Sequence, residues 1–311
     1  MLVLAGVLLY FAFRKIAWSD FVEGLGSCNW FWIGGAVLSG FLSILVRGWR
    51  WKIMLHSIAP NLTRSECYHA YAVCYFANLA VPRSGEIVRC GMLANTHKIS
   101  FEGAMGSMVL ERVWDLVFST LIAVCMVIFS RFGTFLIEKM WTPFVERFSF
   151  NAFWLLIGFL IVCAAVFLFL MKSKAGGRIY GFFKGLADGV KAGFRMPHKG
   201  RFFIQTIFIW ACYWAESLCI IYAYPAMDGL GAMDALLIMI IGSIGWLVPV
   251  QGGFGAYHLL VSVALVPIYG ISQQTGLIFA TISHETQVIT MIVLGIISLA
   301  HIAISKRHRA D

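Results

Sequence analysis

The sequence contains few charged residues for its length. Only 13% of its 311 residues are charged and 60% are hydrophobic, whereas a soluble domain carries about 25% charged residues. Several apolar segments approach or exceed the roughly 20 residues that a helix needs to cross a bilayer. This composition excludes an ordinary soluble domain. It predicts one polytopic all-α membrane domain over residues 1–311.

Signatures of disulfide frameworks and of several enzyme classes are also missing. The eight cysteines form no CxxC pair, so we expect neither a disulfide framework nor a metal cluster. The pair His284-Glu285 lacks the second histidine of a zinc helix HExxH, and the sequence has no GxSxG elbow and no P-loop. We therefore expect no metal and no cofactor, and we do not expect an enzyme.

The net charge of +9 is unevenly distributed. Residues 172–201 hold eight lysines or arginines against one aspartate, and three more basic residues follow Ser305. Basic residues beside spanning helices mark the cytoplasmic face and attract anionic lipids, and nucleic acid is the weaker interpretation. We expect a basic cytoplasmic loop at 172–201, either an interfacial helix or a solvated linker. A cytoplasmic tail is expected at 303–311.

Hydrophobic runs predict about six spanning helices, and we place them at residues 1–13, 30–52, 102–129, 152–171, 202–225 and 273–302. The first lacks the basic start and cleavage site of a signal peptide. Loops are expected at 14–29 and 130–151. Two further segments, 66–96 and 232–269, are each interrupted by a proline-glycine break. All the basic loops lie in the cytoplasm if each interrupted segment returns to the side from which it entered. The two segments are then re-entrant helical hairpins of opposite orientation. Two full crossings of 232–269 would place the basic loops on the same side.

The first break carries ionisable residues at bilayer depth. Pro82 ends the preceding helix and Gly85 permits a tight turn, so that Glu86 lies in the first turn of a new helix. Arg83 and Arg89 flank this carboxylate, and Asn78 precedes it by two turns. Cationic donors beside a helix N-terminus suit an anion site. The alternative is that these charges pair only to stabilise the hairpin.

Two other charged groups lie near helix ends or inside helices. Glu111 and Asp115 share one helical face with Arg112 beside them, and they form either a buried ion network or a substrate contact. Arg47 and Arg50 end the helix at 30–52. They act either as membrane anchors or as contacts to a head-group phosphate.

The second break is rich in glycine. Gly252, Gly253 and Gly255 let the backbone approach a ligand closely, and His258 begins the next half-helix. A functional role for His258 and simple packing are equally plausible. Three more ionisable residues lie well inside predicted spanning helices, namely Glu216, His284 and Glu285.

Three motifs in this order resemble the lysylphosphatidylglycerol synthase transmembrane-region family. They run from Asn78 to Arg89, from Glu111 to Asp115, and from Pro249 to Gly255. The resemblance implies an eight-segment helical domain associated with movement of lipids between leaflets. It does not carry over aminoacyl transfer, because no synthase domain follows residue 302. His258 stands where many relatives place a glutamate, which leaves the head group open.

The expected function is translocation of an anionic phospholipid or lipid-linked precursor across the cytoplasmic membrane of a prokaryote, with both termini inside. Arg83, Arg89 and the backbone of 252–255 would hold the phosphate, while the carboxylates balance charge or carry protons. One alternative is a lipid-modifying enzyme that uses His258 or His284 with Glu285. The other is a non-transporting partner of a cytosolic glycosyltransferase. A homo-oligomer is compatible with each.

Overall fold

The computed structural model describes residues 18–97, 99–129 and 194–307, with scattered positions at 6, 7, 10, 154 and 157 and between 181 and 191. The helices predicted at 1–13 and 152–171 lie almost entirely outside these residues. The loop at 130–151 lies outside them, and so does about half of the basic loop at 172–201.

The described part of the chain is helical, with nine long helices in the order α1 (Trp18–Gly26), α2 (Trp30–Leu55), α3 (Arg64–Ala80), α4 (Ser84–His97), α5 (Phe101–Phe129), α6 (Lys199–Ala223), α7 (Ala232–Leu247), α8 (Ala256–Tyr269) and α9 (Gln273–Arg307). Single 3-10 turns occur at Pro225–Met227 and Gln251–Gly253. Four stretches are long and apolar enough to cross a membrane, namely Trp30–Leu55, Lys199–Ala223, Gln251–Tyr269 and Gln273–Ser305. The chain is thus an all-α polytopic membrane protein.

Helix positions follow the sequence prediction to within a few residues, with two differences. Helix α9 continues to Arg307, into the segment predicted as a tail. The loop predicted at 14–29 is wrong in part, because Trp18–Gly26 is helical. The physical reason is a short apolar stripe in which Phe21 and Leu25, four residues apart, pack against the core.

Two hydrophobic clusters organise the described helices. One surrounds Trp51 and Tyr71 and joins α3, α4 and α5. The other surrounds Tyr257 and Phe279 and joins α7, α8 and α9. Helices α2 and α6 contribute to both clusters, each through its opposite ends, so these two helices connect the halves of the molecule.

The break between α3 and α4 depends on a non-glycine residue. Arg83 adopts a left-handed backbone conformation with φ of 62°, although the sequence suggested that Gly85 makes the turn. Gly85 is needed for a different reason. A Cβ atom there would lie 2.0 Å from the carbonyl oxygen of Cys74, so any side chain would push α4 away from α3.

The break between α7 and α8 is built from glycine. Gly252, Gly253 and Gly255 have φ values of 53°, 72° and 77°, which L-residues rarely adopt. The chain therefore turns sharply twice between Leu247 and Ala256. The sequence signal of three glycines in four positions corresponds directly to this geometry.

Candidate functional site

The two breaks contact each other through reciprocal hydrogen bonds. Arg83 Nη2 donates to the carbonyl oxygen of Leu247 at 2.7 Å, at the end of α7. Gln251 Nε2 donates to the carbonyl oxygen of Ala80 at 2.9 Å, at the end of α3. The last carbonyls of a helix have no partner within it, and irregular backbone in a membrane needs such partners. Each break thus caps the helix interrupted at the other.

A cavity of about 480 Å³ opens beside the joined breaks. Helices α2 to α9 all contribute to its wall. The ionisable and amide side chains that line it are Arg47, Asn78, Arg83, Glu86, Arg112, Asp115, Glu216 and Gln287. Gly252 and Gly253 line it through the second break. Charged side chains from the first half of the chain and glycine backbone from the second half therefore line the same cavity.

Glu111 is the centre of a buried ion network behind this wall. Arg50 Nη2 lies 2.8 Å from Glu111 Oε1 and Arg89 Nη2 lies 3.0 Å from Oε2. Arg47 Nη1 lies 3.3 Å from Oε1, and the hydroxyl of Tyr71 also donates to this carboxylate. The Glu111 side chain is fully buried, so the three arginines replace its lost hydration.

Asp115 and Glu86 extend the network to the cavity. Asp115 accepts from Arg50 at 2.7 Å and from Arg47 at 2.9 Å, as expected from its position one turn after Glu111. Glu86 pairs with Arg112 at 2.9 Å. In the part of the chain described, four arginines thus face three carboxylates. The network has one positive charge in excess.

Aromatic side chains hold the network in place, and the sequence analysis did not identify them. The Arg89 guanidinium lies 4.4 Å from the ring centre of Trp51 and 4.2 Å from that of Tyr71. Arg47 Nε donates to the hydroxyl of Tyr213. Cation–π contacts of this kind strengthen when desolvated. The sequence does contain a signal for these aromatic contacts, because Tyr71 and Tyr75 lie one helical turn apart just before the first break.

Exposure separates the network into two layers. Arg50, Arg89 and Glu111 have fully buried side chains and do not line the cavity. Arg112, with 39% of its side chain exposed, is the most accessible member and does line it. Arg50 and Arg89 were both expected to bind substrate. The structure places both beside Glu111, to which they are ion-paired.

Helix α6 carries a further carboxyl group of the cavity, Glu216, which is not among the ion pairs of the network. Glu216 on α6 is buried and lines the cavity, and its Oε1 atom has no hydrogen-bond partner among the described residues. A Cβ atom on Gly40 would lie 3.2 Å from Oε1 and 3.5 Å from Thr290. Glu216 is therefore packed against small groups of α2 and α9.

The family model described as Lysylphosphatidylglycerol synthase TM region matches residues 1–295 of the chain. The chain belongs to this family. Membership implies a function connected with membrane lipids. Comparison with curated proteins and with solved structures gave no match.

The motifs that carried the resemblance to the lysylphosphatidylglycerol synthase TM region form one assembly in space. Glu86 of the first motif pairs with Arg112 of the second. Arg83 of the first motif donates to the helix end that precedes the third. Within the first motif, Asn78 Oδ1 accepts from the backbone N–H of Gly85 at 2.8 Å and so fixes the turn.

A histidine cluster lies on the far side of the second break. His284 Nε2 lies 2.8 Å from the Gly252 carbonyl oxygen and Nδ1 lies 3.1 Å from Glu285 Oε1. His258 Nε2 lies 3.7 Å from the same carboxylate. None of these three side chains lines the cavity, and neither does Gly255. Through the contact between His284 and the Gly252 carbonyl oxygen, the cluster stabilises this turn without lining the cavity.

Proposed function

We propose that the protein translocates an anionic, phosphate-bearing lipid, a phospholipid or a lipid-linked precursor, between the leaflets of a prokaryotic cytoplasmic membrane. The supporting observation is the cavity between two helix breaks, which is lined by Arg47, Arg83 and Arg112 and backed by an ion network of four arginines and three carboxylates. Such breaks mark binding sites in transporters. A head group crosses a bilayer slowly because its desolvation is costly, and a polar cavity lowers that cost.

Arg112 is the best placed contact for a lipid phosphate. It is the most exposed arginine of the network and holds Glu86 through Nη2 at 2.9 Å, while Nη1 lies 3.9 Å from Asp115. The planar guanidinium suits paired contacts to phosphate oxygens. A phosphate entering the cavity would replace Glu86 as the partner of Arg112. Arg47, already held by Asp115 and Tyr213, would provide a second donor.

Glu216 supports a role in charge balance during transport. Its buried oxygen lacks a hydrogen-bond partner in the described structure, and a buried polar atom without a partner is costly. Glu216 is therefore the position where the cavity can take up a proton or a cationic part of the head group. Glu216 takes no part in the ion pairs of Arg47 and Arg112 that line the same cavity, so the cavity can orient a head group.

A lipid-modifying enzyme remains the main alternative function. It would use His258 or His284 with Glu285, but these side chains lie behind Gly252 and do not face the cavity. Transport is favoured because the groups that do face the cavity bind charge and include no histidine. A non-transporting partner of a glycosyltransferase would have no use for an internal charged cavity.

The experiment is reconstitution into liposomes with a panel of labelled lipids. We expect faster exchange of phosphatidylglycerol between leaflets than in protein-free liposomes, and little effect on neutral diacylglycerol. Lipid mass spectrometry on the same samples would show unchanged lipids. Chemical conversion of the lipid would establish the enzyme instead. Absence of exchange by the purified protein would favour the partner role.

For orientation, we propose that both termini are cytoplasmic and that the two interrupted segments are re-entrant from opposite sides. Single cysteines replacing Ser173 and Ser305 in a cysteine-free background should react only with reagent added from the cytoplasm. A cysteine replacing Thr142 should react only from outside. Labelling of Ser173 and Ser305 positions from opposite sides would contradict this topology.

A further inference from the structure

A second concave site lies at the end of α2, beyond the buried ion network. It is a cavity of about 190 Å³ formed where α2 ends and where α3 and α6 begin. Its lining residues are Trp49, Lys52, Ile53, His56, Arg64, Pro197, His198, Arg201 and Gln205. None of them lines the cavity of about 480 Å³ beside the helix breaks, which we call the transport cavity. The two cavities are therefore separate, and we call this second one the basic cavity.

The charges of the basic cavity differ from those of the transport cavity. Lys52, Arg64 and Arg201 line it, and no carboxylate is among the described residues of its lining. Every arginine of the ion network, by contrast, contacts a carboxylate within 3.3 Å. Three cations that converge without an acidic partner repel one another and favour an anion between them.

Two local features add to this preference. The Arg64 guanidinium lies 5.4 Å from the ring centre of Trp49, which keeps this flexible side chain over the cavity. Helix α6 begins at Lys199 after His198, which has φ of 58° and provides no side-chain hydrogen bond to cap the helix. Its first N–H groups therefore retain their capacity to donate, and the positive end of the helix dipole adds to the three cations.

We propose that the basic cavity is a second binding site of this protein, one for a phosphate group. The three cations and the uncapped helix end supply donors around one concave space, and Trp49 with Ile53 supplies an apolar side. Two sources can provide the phosphate, namely an anionic lipid head group or a soluble phosphate ester. Neither depends on whether the protein transports lipid.

The position of the basic cavity gives it a role if the proposed function is correct. Lys52 follows Arg47 by five residues on α2, a rise of about 7.5 Å, and Gln205 precedes Trp210 by the same number on α6. Arg47 and Trp210 line the transport cavity. Arg50 and Thr206, joined at 3.2 Å, lie between these positions on the two helices. The basic cavity would then load a head group onto the path to Arg112.

The test compares two triple variants with equal charge change. The first carries Lys52→Gln, Arg64→Gln and Arg201→Gln. The control carries Lys184→Gln, Lys191→Gln and Arg195→Gln, which are exposed basic residues outside the cavity. Native mass spectrometry would count short-chain phosphatidylglycerol bound to each purified protein. Short-chain phosphatidylcholine and glycerol 3-phosphate complete the set of ligands.

We expect the first variant to lose one bound phosphatidylglycerol and to bind at least tenfold more weakly at that site, while the control matches the wild type. Binding of glycerol 3-phosphate with similar affinity would identify a soluble ester as the ligand and would still support the phosphate site. Equal losses in both triple variants, or none in the first, would overturn the proposal. So would equal binding of phosphatidylglycerol and phosphatidylcholine together with no binding of glycerol 3-phosphate.

Folding and transport are separated by two further measurements. If the first triple variant unfolds, Arg201→Gln alone is compared with Lys191→Gln, because both side chains are exposed. Leaflet exchange in liposomes is measured on the same proteins. Loss of lipid binding in the first variant, with no exchange even by the wild type, would retain the basic cavity and refute the transport function.

Discussion

The two helix breaks use different chemistry for the same topological task. The first turns at Arg83 and is surrounded by ionised side chains, whereas the second turns at three glycines and is backed by His284. They have one feature in common: a side chain of each break donates a hydrogen bond to the end of the helix that is interrupted at the other break. The difference indicates a division of labour in which the first break supplies charge and the second supplies backbone shape.

In keeping with this division, the ion pairs of the network among the described residues all lie in the first half of the chain. Glu111 holds Arg47, Arg50 and Arg89 at distances from 2.8 to 3.3 Å, so the buried charges fix α2, α4 and α5 relative to one another. A buried ion pair is weak evidence for stability, but removing one member is strongly destabilising. Each charged position is therefore expected to be more sensitive in the first half than in the second.

The largest expected effect comes from Glu111→Gln. It leaves three buried arginines without their shared carboxylate, and loss of one partner of a buried pair costs about 3–5 kcal/mol. Thermal unfolding in detergent should show a large decrease in melting temperature. The control is Glu285→Gln in the second half, which loses a contact to histidine and should cost about 1 kcal/mol. Equal losses in the two variants would contradict the division between the halves.

The next effect concerns backbone shape at the second break. Gly252→Ala places a side chain at φ of 53°, where its Cβ would lie 3.0 Å from Leu79. A left-handed conformation alone costs an L-residue about 1–2 kcal/mol. Gly270→Ala isolates that cost, because Gly270 has φ of 68° and open space around it. We expect Gly252→Ala to lower stability more than Gly270→Ala, and the reverse order would refute the close packing of the breaks.

The sequence predicted much of the fold and several of the residues that line the cavity, but few of their contacts. Breaks at Pro82 and Pro249 and most helix ends follow from local rules for proline, glycine and apolar runs. Pairing does not, because it depends on how helices far apart in sequence pack. Glu86 pairs with Arg112, 26 residues away, although Arg83 and Arg89 are its neighbours in sequence.

Arg83 is a second residue whose partner the local sequence could not predict. Its sequence context indicated an anion contact, yet its guanidinium donates to backbone carbonyls of α7. Nothing local to residues 78–89 specifies that the end of α7 lies there. Likewise, burial of Arg50 and Arg89 follows from the assembled bundle. Their residue type indicated a charge partner, but it could not indicate whether they face the cavity or Glu111.

The smallest expected effect is at the contact between the breaks. Arg83→Gln and Gln251→Ala each remove a hydrogen bond to a helix end, worth about 0.5–1.5 kcal/mol. If the two bonds act together to hold the breaks, the double variant should depart from additivity by about 0.5 kcal/mol or more. Melting temperatures of the four proteins provide the cycle. Strict additivity would mean that the breaks are stabilised independently.

The central claim is that the arginine wall of the cavity recognises a lipid phosphate, and competition binding tests it most directly. Phosphatidylglycerol and diacylglycerol of equal chain length would compete with a labelled anionic lipid for the wild type and for Arg112→Gln. Because Arg112 is partly exposed at the cavity wall, its replacement should weaken lipid binding and lower the melting temperature less than Glu111→Gln does. The account predicts strong competition by phosphatidylglycerol, weak competition by diacylglycerol, and a reduced preference in Arg112→Gln, where the basic cavity still binds phosphate. Equal competition by the two lipids in the wild type would show that the arginines are structural and would contradict the account.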